Sequence, residues 1–176
     1  MSTIIDTQRS AVPTGTWKAD PVHSNVGFAV KYLGVATFSG ELQSFEASFA
    51  DGILAGKAQV ASIEVKDENL YAHLQAPDFF DAERHPELTF SGRDVGDGRF
   101  EGALTIKGKT QPVTLDGTVT GPVTDPYGNE RIGLRLITVV DRTDFGLDWN
   151  APLPGGGFAL ANDVTITADL SLVKAA

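Results

Sequence analysis

Along most of this chain apolar residues recur at every second position. Between Val22 and Tyr32, the residues Val26, Phe28, Val30 and Tyr32 are apolar, while Asn25, Gly27 and Lys31 intervene. Successive side chains of a strand point to opposite faces, so this period predicts strands with one buried face. The pattern returns at Phe100, Gly102, Leu104 and Ile106, and at Ile132, Leu134 and Leu136. It returns again from Val164 through Ile166, Ala168 and Leu170 to Leu172. Turn formers separate the segments: Asp51-Gly52, Gly96-Asp97-Gly98, Lys107-Gly108-Lys109, Pro126-Tyr127-Gly128-Asn129 and Pro154-Gly155-Gly156-Gly157. About eight strands at this spacing, with no helices alternating between them, predict an antiparallel all-β meander.

One stretch departs from the period. Lys66 to Gln75 (KDENLYAHLQ) carries good helix formers, a capping candidate in Asp67, and Leu70 and Leu74 four apart. It predicts one short helix lying across an end or side of the sheet. Open sheet edges invite aggregation, so a meander of this length closes or sandwiches. Eight strands closed on themselves leave an interior just wide enough for side chains or one slim ligand. The inward candidates mix large residues (Phe28, Phe38, Phe90, Phe100, Phe145) with small ones (Gly40, Gly92, Gly102, Gly133, Ala168). Alternation therefore leaves both a packed interior and a cavity open.

Composition narrows the function. The 176 residues fit a single domain and include no cysteine, which removes thiol catalysis, a redox pair and cysteine-based zinc. The net charge is −9 and the basic residues are scattered, so nucleic acid is not an expected partner. No apolar run reaches the length of a membrane span, so stable membrane insertion is not expected either. Residues 1–14 (MSTIIDTQRSAVPT) lack a signal pattern and predict a flexible leader to a barrel domain over 15–176, in the cytoplasm.

The motifs for chemistry are weak. His23 and Ser24 are adjacent, and adjacent strand residues face opposite ways, so His23 does not serve Ser24 as a base. A bond from His23 to a neighbouring carboxylate such as Asp20 is the simpler role. The three histidines, His23, His73 and His85, make no H-x-H or H-E-x-x-H spacing. Gly102 to Thr110 resembles a phosphate loop but separates its glycines by five residues instead of four, and reads as strand and hairpin. In Asp141-Arg142-Thr143-Asp144, an arginine between two carboxylates predicts an ion pair at a barrel end. Alternatively, Arg142 meets a polar ligand head at a cavity mouth. Of Phe79 and Phe80, one is expected in the core and the other as a lip over an opening.

Several of these segments together resemble the YceI-like family, the polyisoprenoid-binding proteins of extended lipocalin-like fold. The resemblance begins at Trp17-Lys18-Ala19-Asp20-Pro21-Val22-His23-Ser24 and runs through Val26, Phe28 and Val30 to Phe38-Ser39-Gly40 and Ala61-Ser62-Ile63. It continues through His73-Leu74, Asp78-Phe79-Phe80-Asp81, Pro86 to Ser91 and Gly102 to Val113. Arg142-Thr143-Asp144-Phe145-Gly146-Leu147 and Asp163 to Ile166 complete it. Glu64-Val65-Lys66-Asp67 departs from the family pattern in the turn before the helix.

The resemblance implies an eight-stranded antiparallel up-and-down barrel with one short helix. It also implies a polyisoprenoid or similar long-chain lipid, such as an isoprenoid quinone, in the interior for carriage, storage or sensing. It implies no catalysis, no cofactor beyond the bound lipid, and a homodimer as a further expectation. The pocket candidates by apolar phase are Phe28, Val30, Phe38, Phe90, Leu104, Ile106, Leu115, Leu134, Leu136, Phe145, Ile166 and Leu170, joined by Phe79 and Arg142. A register slip of one residue would turn the strand set outward. The alternative function is an enzyme of lipid metabolism in which His23, Arg142 and Asp144 converge at the barrel mouth. Fifteen to twenty buried methylenes contribute roughly 12–16 kcal/mol gross at about 0.8 kcal/mol each, so a binder needs few polar contacts.

Overall fold

The computed structural model describes residues 8, 9 and 12–175. Its strands are β1 (Gln8–Arg9), β2 (Trp17–Ala19), β3 (Asn25–Tyr32), β4 (Ala36–Leu42), β5 (Phe45–Ala50) and β6 (Ile53–Gln59). They continue as β7 (Ile63–Glu64), β8 (Glu87–Gly96), β9 (Arg99–Ile106), β10 (Lys109–Thr124), β11 (Glu130–Asp141) and β12 (Leu160–Lys174). One helix, α1 (Glu68–Gln75), follows β7.

Every pairing is antiparallel, and the sheet closes. β3 pairs with β4 from Val26–Leu42 to Tyr32–Ala36, and β2 pairs with β5 at Trp17–Phe49, so β2–β3 and β4–β5 are each one bent stave. From there β6, β8, β9, β10, β11 and β12 follow as neighbours, and β12 returns to both β3 and β2. The result is an eight-stranded up-and-down barrel, as expected. Two-residue hairpins of the kind that match strand twist connect β5–β6 and β9–β10. Asp51 and Gly52 take φ of 52° and 76°, and Lys107 and Gly108 take 52° and 74°.

The two ends differ. The hairpins at 51–52, 97–98 and 125–129 lie at one end, where Trp17, Phe49, Leu54, Phe100, Val119, Ile132, Leu134 and Leu172 pack into a plug. Trp17, Val119 and Leu172 have no exposed surface at all. The long connections, 60–86 and 142–159, lie at the other end. β6 stops at Gln59, β8 starts at Glu87, and β7 pairs with β4 only at Glu41 and Leu42, so residues 36–40 have β3 on one side and no strand on the other, and residues 60–86 fill that side. Helix α1 starts as the sequence predicts, with the Asp67 carboxylate accepting from the Leu70 amide at 3.0 Å. Tyr71 Oη and Gln75 Nε2 donate to the carbonyls of Ala61 and Val60, which pins the helix to the segment before it. Lys107 Nζ donates to Pro77 O at 2.8 Å and to Gly146 O at 3.4 Å, tying the two covering segments together.

One expectation changes here. Gly133 faces outward, opposite Thr120, because the inward phase of β11 belongs to Ile132, Leu134 and Leu136. The leader expected over residues 1–14 lies largely outside the described residues. Of its described part, Gln8–Arg9 pairs with β10 at Thr120 and Val119, and Val12 packs on the plug.

At the plugged end, Arg131 joins two loops. Its Nε donates to Asp125 at 2.7 Å and its Nη1 to Asp20 at 3.0 Å, while His23 Nδ1 lies 2.7 Å from Asp20 Oδ2. These bonds, from His23 and then Arg131, hold the Asp20 carboxyl at about 2, against an ordinary 3.8. Arg131 and the Asn129 amide hold Asp125 at about 2 as well. Both carboxyls are depressed in the folded state, so their contribution is complete above pH ~4 and is lost as pH falls towards 2. Urea midpoints measured from pH 5 to 2 are expected to fall steeply for the native chain, and less steeply for Arg131→Met.

Candidate binding cavity

The inward residues of the barrel do not fill it. Above the plug lies a cavity of about 550 Å³, within the range of small-molecule sites. Phe28, Phe38, Phe90, Leu104, Leu115 and Ile166 point inward yet stay only partly buried, because their inner sides border this space. A methylene fills about the share of a water molecule, ~30 Å³, so the volume holds on the order of eighteen carbons.

Two glycines explain part of the width. Gly40 lies opposite Phe28 across the β3–β4 ladder, and a Cβ there would stand 2.8 Å from the Phe28 ring and 3.0 Å from Val65. Gly92 follows Phe90 by two on the same face of β8, and a Cβ there would stand 2.5 Å from the Phe90 ring. Each ring thus lies down on the wall over a glycine. Phe28 also meets Phe38 edge-on, with centroids 5.8 Å apart.

Of the residues expected to line a pocket, Phe28, Val30, Phe38, Phe90, Leu104, Ile106, Leu115, Leu136, Ile166 and Leu170 reach the wall from the strands. Phe79, Arg142 and Phe145 reach it from the covering segments. Leu134 does not. It shares the inward phase of Leu136 but sits one repeat nearer the plugged end, where it is 1 % exposed among packed side chains. Both Phe79 and Phe80 border the cavity, Phe79 buried and Phe80 partly so.

Several wall residues escaped the sequence reading. Phe45, Ala47, Leu54 and Leu88 carry the same period-two signal in shorter or more polar strands, and Val164 extends the inward phase of β12 to the wall. Leu70 and Leu74 carry the four-residue spacing of α1. Trp149 has no periodic signal, since it lies in the connection between β11 and β12. It packs edge-on against His73, with ring centroids 4.5 Å apart, and His73 meets Phe79 in the same way at 4.9 Å. Helix and connection thereby close the same end.

Arg142 is the deepest charge on the wall, only 4 % exposed. The expected ion pair with its flanking carboxylates is not formed. Asp141 instead caps the following turn, accepting from the Thr143 amide at 2.9 Å and its hydroxyl at 2.6 Å, which holds its carboxyl below the ordinary value. Arg142 turns inward and donates to backbone carbonyls: Nε to Ala161 at 2.9 Å, and Nη1 to Leu147 at 2.5 Å and Trp149 at 2.8 Å. Burial pulls the guanidinium below its ordinary pKa, with Asp141 and Asp148 opposing.

The catalytic grouping of His23, Arg142 and Asp144 does not assemble. His23 is bonded to Asp20 in the loop that Arg131 holds, and Arg131 and Arg142 bracket β11, roughly 36 Å apart at strand rise. Among the described residues, no group of three or more His, Asp and Glu side chains is placed to hold a metal. No helix there is long and apolar enough to cross a membrane.

The YceI-like domain matches residues 17–172. The chain belongs to the YceI-like family. This YceI-like chain is 30% identical over 157 residues to a UPF0312 protein of Staphylococcus aureus, covering 85% of the chain and 92% of the relative. It is 29% identical over the same length to a UPF0312 protein of Staphylococcus epidermidis, with the same coverage. Its fold matches that of BcnA from Burkholderia cenocepacia with a TM-score of 0.70 and 22% identity, over 87% of this chain and 98% of that one. It also matches a polyisoprenoid binding domain from Saccharophagus degradans implicated in plant cell wall breakdown. There the TM-score is 0.72 and the identity 10%, over 90% and 98% of the two chains.

The glycine and ring pairs generate a prediction. Gly40→Ala and Gly92→Ala should each swing a phenylalanine into the lumen and shorten the longest chain accepted by several carbons. Native mass spectrometry across a series of primary alcohols reads the cut-off. An unchanged cut-off in both variants counts against the rings setting the width. Leu134→Ala, in the plug, should lose about 3 kcal/mol in urea titration, and Leu104→Ala, bordering open space, less than half as much.

Proposed function

We propose that this YceI-like protein holds one long apolar chain, a polyisoprenoid or similar long-chain lipid of the isoprenoid quinone kind, for carriage, storage or sensing. The observation that supports it most directly is the unfilled apolar interior of about 550 Å³. A slim chain of fifteen to twenty carbons matches that volume. The polyisoprenoid binding of the Saccharophagus degradans domain supports the same ligand class. Lost translational and side-chain freedom costs about 4–15 kcal/mol, and burial of the whole chain offsets it with little polar contact. Binding rather than catalysis is the reading that the separated polar groups favour.

Organic extracts of the native protein should yield an apolar compound at near-stoichiometric amount by mass spectrometry, and stripped protein should take up geranylgeraniol. Ala168→Trp, which projects a large side chain into the lumen from β12, should lower that uptake at least tenfold while keeping the thermal midpoint within a few degrees. A clean extract together with no uptake by stripped protein rules this reading out.

A further inference from the structure

The cavity wall carries one buried cation, and its bonding is incomplete. Nε and Nη1 of Arg142 are committed to the carbonyls of Ala161, Leu147 and Trp149, which fix the guanidinium plane. Nη2 is buried and has no hydrogen-bond partner among the described residues. A buried N–H left unpaired is costly, and a guanidinium N–H more so than a neutral one. The rest of the wall around it is apolar, including Phe79, Phe145, Leu147 and Val140.

We propose that Arg142 anchors the ligand's head, donating from Nη2 to a single neutral acceptor oxygen of carbonyl type. This rests on the reading of the cavity as a lipid site and adds the class of head group. A carbonyl oxygen accepts from one of the two Nη2 N–H groups, so one such oxygen gives the unpaired nitrogen a partner. A diphosphate carries several charged oxygens, and among the apolar neighbours of Nη2 those it does not meet would be buried unpaired. Three backbone carbonyls already accept from the guanidinium, and one further neutral acceptor at Nη2 completes that set. The same clamp places the cation without spending Nη2.

Stripped native protein is titrated with three probes of matched length: octadecane, hexadecyl methyl ketone and octadecyl phosphate. The ketone is expected to bind about tenfold tighter than octadecane and tighter than the phosphate. In Arg142→Met, the ratio of ketone to octadecane affinity is expected to fall to about one, whatever the lost carbonyl bonds do to both affinities together. The infrared carbonyl stretch of the ketone bound to native protein is expected at lower frequency than in hydrocarbon solvent, which needs no variant and covers the case that Arg142→Met fails to fold. An unshifted stretch, a preference retained in Arg142→Met, or tighter binding of the phosphate each overturns the anchor. If octadecane and the ketone both fail to bind, the lipid reading itself falls. Binding of octadecane with no gain for the ketone removes the anchor alone.

Discussion

Closure of eight antiparallel staves is the constraint on which the rest depends. A closed barrel has no edge to pair with a second chain, and every inward position competes for one narrow interior. Where large residues converge, as Trp17, Phe49 and Phe100 do, the interior is sealed and supplies the packed core of the fold. Towards the other end the inward positions are taken by residues that lie along the wall or are absent as side chains. The same sheet thus serves as core at one end and as container at the other. The bent stave β4–β5 allows this, because β5 stays paired with β6 while β4 leaves it, and that side of the wall falls to helix and loop.

The cover differs physically from the barrel beneath it. Ladder hydrogen bonds hold the staves, whereas a few side-chain bonds and the His73, Phe79 and Trp149 contacts hold the segments 60–86 and 142–159 in place. Local opening costs less where contacts are few, so the covered end opens more easily than the plug. The polar groups follow the same division. The Asp20, Arg131 and Asp125 network sits at the plugged end and ties loops together. Arg142, at the covered end, both fastens the β11–β12 connection and stands on the cavity wall.

How much of this was legible in the chain can be judged residue by residue. The period of two named four of the eight staves, and the turn formers named most of the hairpins. Asp67 announced the helix, and His23 found the carboxylate expected of it. Leu134 and Leu136 show where such reading stops, since they share a phase and strand yet one lies in the plug and the other on the cavity. Arg142 is a second case. Its neighbours Asp141 and Asp144 suggest an ion pair, and only the fold shows three carbonyls closer to hand. Trp149 lay beyond reach altogether, in a connection without periodicity.

The sequence by itself determined the alternation of four staves, most of the turns, the short helix and, through motifs spaced along nearly its whole length, the resemblance to a lipid-binding barrel. These are local properties, set by which face each side chain takes and by which residues tolerate a turn. Tertiary structure alone decided that the interior is open, how wide it is and where its one buried cation points. Those depend on how far each inward residue lies along the barrel axis and on what stands opposite it. The Phe28 ring folds over Gly40, twelve residues away in sequence, and the volume left by that packing is a property of the pair.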